Sequence, residues 1–305
     1  MVAVQGKVKP GFEGVSEAFA SNFNDGFEVG ASVAIIYKGE MVVDIWGGHR
    51  EMERTSDWQS DTLVNVWSTT KTMMFLTLLT LADRGEISLT DPVYKYWPEF
   101  KVNGKEGIEI RHLMAHTAGL SGWAEPMTSD DLFNHDKCAA VLGAQAPWWT
   151  PGSQSGYHAI TQGYLIGELV KRVTGQSLGN FFRENFAEPL GADFHIGTAP
   201  EQHHRISNVI PGVSLLDPTA ELDGIAVRTY SNPKISAEIA WTPEWRQCES
   251  PAANGQGNAR SVAQLQSIIS HGGEAGGKRF LSAKGVEALF TEQMSGQDLI
   301  LGVPM

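Results

Sequence analysis

The stretch NVWSTTKTMMFLTLLTLADRG, from Asn65 to Gly85, places a small polar group at the start of a long apolar run. The apolar positions predict a helix that is buried in the core of a globular domain. Ser68 and Lys71 are three residues apart, so on this helix they share a face with Cβ atoms roughly 5–6 Å apart. One interpretation is a helix cap, and the other is that Ser68 is a nucleophile with Lys71 as its base.

Composition narrows the class of partner. The chain has 305 residues, of which 42% are hydrophobic and 19% charged, enough to bury one large core or two smaller ones. Its formal net charge of -12 argues against a nucleic-acid partner, because a phosphate backbone requires a face rich in lysine and arginine. We therefore expect a small-molecule substrate.

The spacing of the cysteines and the length of the apolar runs indicate which cross-links and which cellular location to expect. Cys138 and Cys248 lie far apart and form no CxxC pair, which argues against a disulfide framework and against a zinc site. The N-terminal residues lack the apolar segment of a signal peptide, and no apolar run approaches the ~20 residues of a membrane span. We expect a cytoplasmic protein with no membrane partner; a homo-oligomer stays an open alternative.

Hydrophobic periodicity suggests three parts. Residues 1–85 are predicted to contain a helix over GFEGVSEAFASNF, two strands in ASVAIIYKGEMVVDIWGG joined at Lys38-Gly39-Glu40, and the Ser68 helix. Residues 86–200 are predicted to be mainly helical, with one helix over AITQGYLIGELVKRVTG that ends at Gly175 and another around LGNFFRENF.

The third part, residues 201–305, begins with a stretch from His203 to Asn258 in which periodicity fades. We expect this stretch to run irregularly over the surface before ARSVAQLQSIISHGG and SAKGVEALF resume helical patterns. The whole order predicts a sheet-and-helix domain with an inserted helical region and a ligand cleft between the two.

Ser68, Lys71 and Tyr157 are the candidate catalytic residues. A serine hydroxyl is a poor nucleophile until a neighbouring base takes its proton, and a lysine that loses water in a cleft can serve as that base. The start of a helix adds amides and a positive dipole end where negative charge develops on an attacked carbonyl. Tyr157 lies in a Gly/Ser loop before a helix, where its phenol could project into the cleft or anchor the loop.

Several motifs together resemble one superfamily. They are Ser68-Thr69-Thr70-Lys71 opening an apolar helix, HLMAHTAGL at 112–120, GYHA at 156–159 and GELVKRVTGQSL at 167–178. This combination resembles the serine β-lactamase and penicillin-binding-protein-like superfamily, and most of all the family VIII carboxylesterases, which are relatives of class C β-lactamases. The resemblance extends from about Gly11 to the end of the chain.

The resemblance implies both a fold and a chemistry. The fold would be α/β (α+β) and β-lactamase/transpeptidase-like: an antiparallel sheet flanked by helices, with an all-helical domain inserted. Ser68 would be the acylated nucleophile, Lys71 its base partner and Tyr157 the general base or proton relay, with no metal and no organic cofactor. The Y-x-N motif of β-lactamases reads Tyr157-His158-Ala159 here, which favours small esters over β-lactams.

Three other motifs are weaker candidates. Gly175 to Gly179 matches the G-x-S-x-G elbow of α/β-hydrolases, but a predicted helix precedes it, so Ser177 is expected to cap the next helix instead. His112 and His116 have the spacing of a metalloprotease helix, but Leu113 stands where the general-base glutamate would be. The segment 255–257 lacks the leading strand of a dinucleotide-binding motif and is expected to be a loop beside the cleft.

Tryptophans offer a candidate substrate-binding residue. Trp123, Trp148 and Trp149 flank the predicted helical insert and could line an acyl pocket, although tryptophans often serve only in packing. Of the three, we assign Trp123 to substrate binding.

The resemblance also implies that a motif near the C-terminus supplies a second hydrogen-bond donor to the oxyanion formed during acyl transfer. His271-Gly272-Gly273 is similar to the third motif of the family, but it ends a helix-like run and is followed by a turn to another helix. We therefore reject this match. In relatives the motif strand lies beyond a segment like Leu301 to Met305, so we expect that the C-terminal strands are missing and the chain is a truncated form. The remaining alternatives are amide chemistry, as in a β-lactamase, D-amino peptidase or small-amide hydrolase, and a catalytically impaired member of the fold.

Overall fold

The two predicted strands near the N-terminus form a hairpin in the computed structural model, which describes residues 2–26, 28–212 and 224–305. Strand β2 (Gly30–Tyr37) turns into β3 (Glu40–Gly48) through Lys38 and Gly39, whose φ angles are 51° and 80°. Two positive φ angles match the right-handed twist of paired strands. Strand β1 (Gln5–Val8) adds to the other edge of β3, giving an antiparallel sheet of order β1-β3-β2.

The other elements complete the fold around this sheet. The remaining strands are β4 Leu63–Asn65, β5 Phe194–His195, β6 Ile206–Ser207, β7 Gln256–Gly257, β8 Glu274–Ala275 and β9 Lys278–Arg279. The α-helices are α1 Glu13–Asn24, α2 Thr70–Asp83, α3 Ile110–Met114, α4 His135–Ala144, α5 Thr161–Thr174, α6 Leu178–Phe182, α7 Glu188–Leu190, α8 Ile225–Ser231, α9 Pro243–Gln247, α10 Ala259–Ser270 and α11 Ala283–Leu289. The resulting antiparallel sheet flanked by helices is the predicted fold class.

Helix α2 lies at the centre of the main core. Its side chains are buried on every face, as expected of a helix that is apolar all round; they include Met73, Met74, Leu76, Leu78 and Leu81. It packs against α5, α6 and α11. The prediction of a buried helix after Ser68 is therefore confirmed.

The junction after α5 explains the false elbow motif. Helix α5 ends at Gly175, whose φ of 73° is the left-handed conformation that closes many helices. Ser177 caps α6 by accepting the Asn180 amide, and its hydroxyl donates to Glu249 at 2.6 Å. The G-x-S-x-G pattern is thus a helix-to-helix connection, as predicted.

Two expectations about the last part were wrong. Gln256–Gly257 is a strand, not a loop: β7 pairs antiparallel with β4 and with β5. A Cβ on Gly257 would lie 2.4 Å from the Phe194 ring, so this glycine permits close strand packing.

The described part of the stretch from His203 to Asn258 contains short helices and strands between irregular segments, and it does not simply lie over the surface. Trp245 is fully buried, and its indole N–H donates to Asn65 Oδ1 at 3.0 Å. It lies on the short α9, which is too brief to show a periodicity in the sequence. Residues 213–223 of this stretch lie outside the described residues, and the division at residues 85 and 200 stays a prediction.

The described residues also contain no helix that combines the length and the apolarity needed to cross a bilayer.

Candidate active site

Ser68 lies in a 3-10 turn, Trp67–Thr69, that links β4 to α2, and its side chain is exposed. The preceding residue, Trp67, has a φ of 46°, a conformation that is costly for a bulky residue. Thr70 holds the turn by donating its hydroxyl to the Trp67 carbonyl at 2.5 Å, and the Trp67 ring lies against Trp245. The chain thus presents Ser68 at the start of a buried helix.

Lys71 is positioned to act on Ser68. Its Nζ lies 3.3 Å from Ser68 Oγ, 2.7 Å from the Ala159 carbonyl and 3.0 Å from the Ala252 carbonyl, and the residue is 5% exposed. Burial lowers the pKa of the Lys71 ammonium to about 7. A neutral amine that donates its two N–H groups to the two carbonyls directs its lone pair at Ser68.

Tyr157 contacts the same serine from the other side. Its hydroxyl donates to Ser68 Oγ at 2.6 Å, and Lys71 Nζ lies 4.9 Å from the centre of its ring. Burial raises the pKa of Tyr157 and outweighs the opposing effect of the Ser68 hydrogen bond. The phenol therefore keeps its proton near neutrality and is a donor. The structure brings together the three residues that the sequence named.

Two neutral histidines anchor the Tyr157 loop. His158 Nε2 accepts the Leu120 amide at 3.0 Å, while its Nδ1 bonds the Gly156 carbonyl at 2.6 Å. His116 Nδ1 accepts the His158 amide at 3.0 Å. Burial lowers the pKa of His158 to about 4 and that of His116 well below its usual value, so both rings are uncharged acceptors. We did not predict this role, although the GYHA motif carries a signal for it.

His112, which with His116 has the spacing of a metalloprotease helix, has a structural role instead. His112 Nδ1 accepts the Glu109 amide at 3.1 Å, which caps α3. In the described part of the chain, no group of three or more His, Cys, Asp or Glu residues is arranged to hold a metal ion.

A cavity of about 270 Å³ lies close to the three candidate catalytic residues, since it is lined by Trp67, which precedes Ser68, and by Ala159, which is two positions after Tyr157. Trp123 lines it as well; it is 3% exposed, and its indole N–H donates to the Cys138 carbonyl at 3.1 Å. The remaining lining residues are Ser121, Ile160, Thr229, Tyr230, Pro233, Ile235, Ser236 and Ala237. Trp148 and Trp149 are not among them.

A larger cavity of about 940 Å³ runs between β2 and α10. Thr69 contributes to its wall, but Ser68, Lys71 and Tyr157 do not. These three residues do not line the smaller cavity either, but its wall includes Trp67, next to Ser68, and Ala159, whose carbonyl accepts a hydrogen bond from Lys71 Nζ, whereas the larger cavity has only Thr69 beside the site. We therefore place a group bonded to Ser68 in the smaller cavity.

Three contributors to the site have no recognisable sequence signal. Two are the backbone carbonyls of Ala159 and Ala252, because any residue type presents a carbonyl. The third is the buried carboxylate of Asp298, which accepts the Tyr157 amide at 3.1 Å from far along the chain.

Comparisons with known proteins agree on one family. Residues 19–304 match the family model described as Beta-lactamase. The Esterase/beta-lactamase LipL of Mycobacterium tuberculosis (strain ATCC 25618 / H37Rv) is 35% identical over 297 residues, which cover 94% of this chain and 69% of LipL.

Two solved structures are similar along nearly the whole chain. A crystal structure of a family VIII carboxylesterase superimposes with a TM-score of 0.94 at 40% identity, covering 99% of this chain and 81% of that one. A penicillin-binding protein homologue from Caulobacter crescentus superimposes with a TM-score of 0.92 at 35% identity, with the same coverage of 99% and 81%.

Proposed function

Because the chain belongs to the beta-lactamase family, we propose that it is a serine hydrolase that cleaves carboxylic esters of small acyl chains through an acyl-enzyme on Ser68. The comparisons with an esterase/β-lactamase and with a carboxylesterase support a hydrolase of this fold. The assignment of Ser68 as the acylated residue rests on one observation: Lys71 Nζ and the Tyr157 hydroxyl both lie within hydrogen-bond distance of Ser68 Oγ, at 3.3 Å and 2.6 Å.

In the first half of the reaction, the neutral amine of Lys71 takes the Ser68 proton while Ser68 Oγ attacks the ester carbonyl carbon. The carbonyl π electrons move to oxygen and form a tetrahedral oxyanion beside the N-terminal amides of the turn and α2. When the oxyanion collapses, the alkoxide leaves with a proton from Tyr157, which recovers one from Lys71. The serine ester remains.

In the second half, water attacks the serine ester and gives up a proton through Tyr157 and Lys71. Collapse of the second oxyanion releases the carboxylic acid and returns the proton to Ser68 Oγ. Each proton that leaves the amine–phenol pair is thus returned within one cycle, and no external acid or base is consumed.

Two features favour small esters over β-lactams. Where the β-lactamase motif has an asparagine, this chain has Ala159, whose side chain offers no amide to a lactam substrate, and the neighbouring His158 is occupied by the Leu120 amide and the Gly156 carbonyl. The cavity of about 270 Å³ lies below the roughly 300–1,000 Å³ of pockets for drug-sized ligands. We assign it to the acyl group, with Trp123 as a wall.

Covalent labelling tests this proposal. A fluorophosphonate should label Ser68, because attack of the serine oxygen on phosphorus mimics its attack on an acyl carbon. Ser68→Ala should abolish the label, and peptide mass mapping identifies the labelled residue. Ser177→Ala is the matched control and should be labelled like the unaltered chain. A label on Ser177 with none on Ser68 would replace this mechanism with that of an elbow hydrolase.

Amide chemistry is the second candidate, because LipL carries both activities in its name. A p-nitrophenyl acyl series and a chromogenic cephalosporin separate the two. We expect ester turnover to dominate; cephalosporin turnover of equal or higher kcat/KM would favour a β-lactamase.

A further inference from the structure

A buried carboxylate behind the Tyr157 loop has no part in the mechanism above. Asp298 is 1% exposed, and the four groups that donate to it are neutral. Its Oδ1 accepts the amides of Ile300 and Leu301, both at 2.9 Å, and the amide of Tyr157 at 3.1 Å. Its Oδ2 accepts the Ser155 hydroxyl at 2.7 Å.

These bonds join two segments that are far apart in the chain. Asp298 and Tyr157 are 141 positions apart, and a backbone bond from the Leu299 amide to the Ser155 carbonyl at 2.9 Å runs beside their contact. Three hydrogen bonds therefore fasten the segment around Asp298 to the loop that carries the tyrosine. A buried anion is costly unless hydrogen bonds compensate it, and here half of that compensation comes from the Tyr157 loop.

We propose that Asp298 is a positioning residue of the acyl-transfer site: its carboxylate holds the backbone of Tyr157 so that the phenol stays within hydrogen-bond distance of Ser68. The inference rests on the proposed function for its kinetic consequence only. The phenol lies at the end of a side chain with two rotatable bonds, so a shift of the Tyr157 backbone moves the hydroxyl directly. A displacement of about 1 Å is enough to cost on the order of 10²-fold in rate.

The charge of Asp298 also acts on the phenol. The titratable groups around Tyr157 are Lys71, His116, His158, Tyr230 and Asp298. The two histidines are held neutral, whereas Asp298 is an anion whose pKa lies below its usual value because hydrogen bonds, led by the Leu301 amide, outweigh the effect of burial. Its negative charge adds to burial in raising the pKa of Tyr157. The carboxylate therefore favours the protonated, donating phenol.

A double-mutant cycle tests the positioning role. Asp298→Ala should lower kcat for a p-nitrophenyl ester by about 10²-fold with KM within about twofold, because the defect lies in the chemical step. In a Tyr157→Phe background the same change should lower kcat by less than about twofold, since the group being positioned is gone. Equal losses in both backgrounds would overturn the proposal.

Two further variants separate positioning from folding. Gln297→Ala is the matched control, because Gln297 is exposed and its side chain bonds within its own segment, to the Gly302 carbonyl; its kcat should be unchanged. If Asp298→Ala does not fold, Ser155→Ala removes only the Oδ2 contact and should show the same dependence on Tyr157 with a smaller loss.

A second readout does not depend on turnover. In protein labelled with ¹³Cζ-tyrosine, the Tyr157 resonance is assigned by its loss in Tyr157→Phe, and Asp298→Asn should lower the pKa of that phenol because a negative charge has been removed. An unchanged pKa would contradict the proposed contact. A chain that lacks ester turnover but shows the shift would overturn the proposed function and leave the assignment of Asp298 standing.

Discussion

At the scale of single residues, the protonation of Lys71 is expected to set the pH dependence. An exposed lysine has a pKa of about 10.4, whereas burial lowers that of Lys71 to about 7. Only the free base can accept the Ser68 proton, so kcat/KM should rise about tenfold per pH unit below about 7 and level off above it. Ester hydrolysis followed between about pH 5 and about pH 9 measures this; a flat profile through neutrality would contradict it.

The same shift has a stability signature that does not need turnover. Because the folded-state pKa lies below the unfolded value of about 10.4, the unfolded chain binds more protons between the two values. The free energy of unfolding should therefore gain a contribution as pH rises from about 7 towards ~10.4, and Lys71→Met should lack it. Denaturant titrations at several pH values test this.

Lys71 and Tyr157 are expected to act as one proton-transfer unit, because both contact the same Ser68 oxygen. Lys71→Ala and Tyr157→Phe should each lower kcat by several orders of magnitude, and the double variant should be little worse than either. The measurement is kcat of all four forms. Independent, additive losses of activation free energy would show that the two side chains work separately.

At the scale of elements, Asn232 fastens α8 against the loop that carries Trp123. Its Oδ1 accepts the Met127 amide at 2.7 Å, and its Nδ2 donates to the carbonyls of Trp123 at 2.8 Å and Glu125 at 2.7 Å. Thr229 and Tyr230 of α8 line the cavity of about 270 Å³ together with Trp123.

Asn232→Ala should therefore loosen the acyl pocket and leave the catalytic residues in place. We expect kcat/KM for longer p-nitrophenyl esters to approach that for the acetate, with the acetate kcat within about threefold and a stability loss of about 1–3 kcal/mol from unpaired backbone groups. Asn103→Gly is the control, because the side chain of Asn103 makes a single exposed bond to the Ala144 carbonyl and glycine adopts its φ of 56° without strain. An unchanged dependence of kcat/KM on acyl-chain length would mean that the hydrogen bonds of Asn232 do not shape the pocket.

At the scale of the whole molecule, the described residues bury two separate apolar clusters of unequal size. The large cluster includes α2, α5, α6 and parts of α10 and α11, whereas the small one joins α1 to the β1-β3-β2 sheet through Phe19, Val42, Val43 and Ile45. Local stability follows the amount of apolar contact, so the sheet should open more readily than the helical core.

Hydrogen exchange should accordingly be faster for β2 and β3 amides than for α2 and α5 amides. Val43→Ala should speed exchange in the sheet alone, while Leu165→Ala should cost about 2–5 kcal/mol and speed exchange throughout, because Leu165 is fully buried in the large cluster. Equal protection of sheet and helices would show that the two clusters unfold as one unit.

The features that could be predicted from the sequence are those whose causes are local. Helix α5 and its stop at Gly175 follow from side-chain spacing and from one left-handed residue, and the hairpin follows from Lys38-Gly39 between two β-branched runs. The proximity of Ser68 to Lys71 follows from their separation of three residues at the start of a helix. The resemblance to a known superfamily added Tyr157, which no rule based on residue spacing would have placed beside Ser68 and Lys71.

What only the tertiary structure decided depends on contacts between distant segments. Tyr157 reaches Ser68 across 89 positions, and Lys71 meets the Ala252 carbonyl across 181. The lowered pKa of Lys71 exists only because packing removes water from the amine, and Asp298 matters only where folding brings it to the tyrosine loop. Spacing along a chain determines helices and turns within a few residues; desolvation and hydrogen bonds between remote segments arise only when the chain has closed around them.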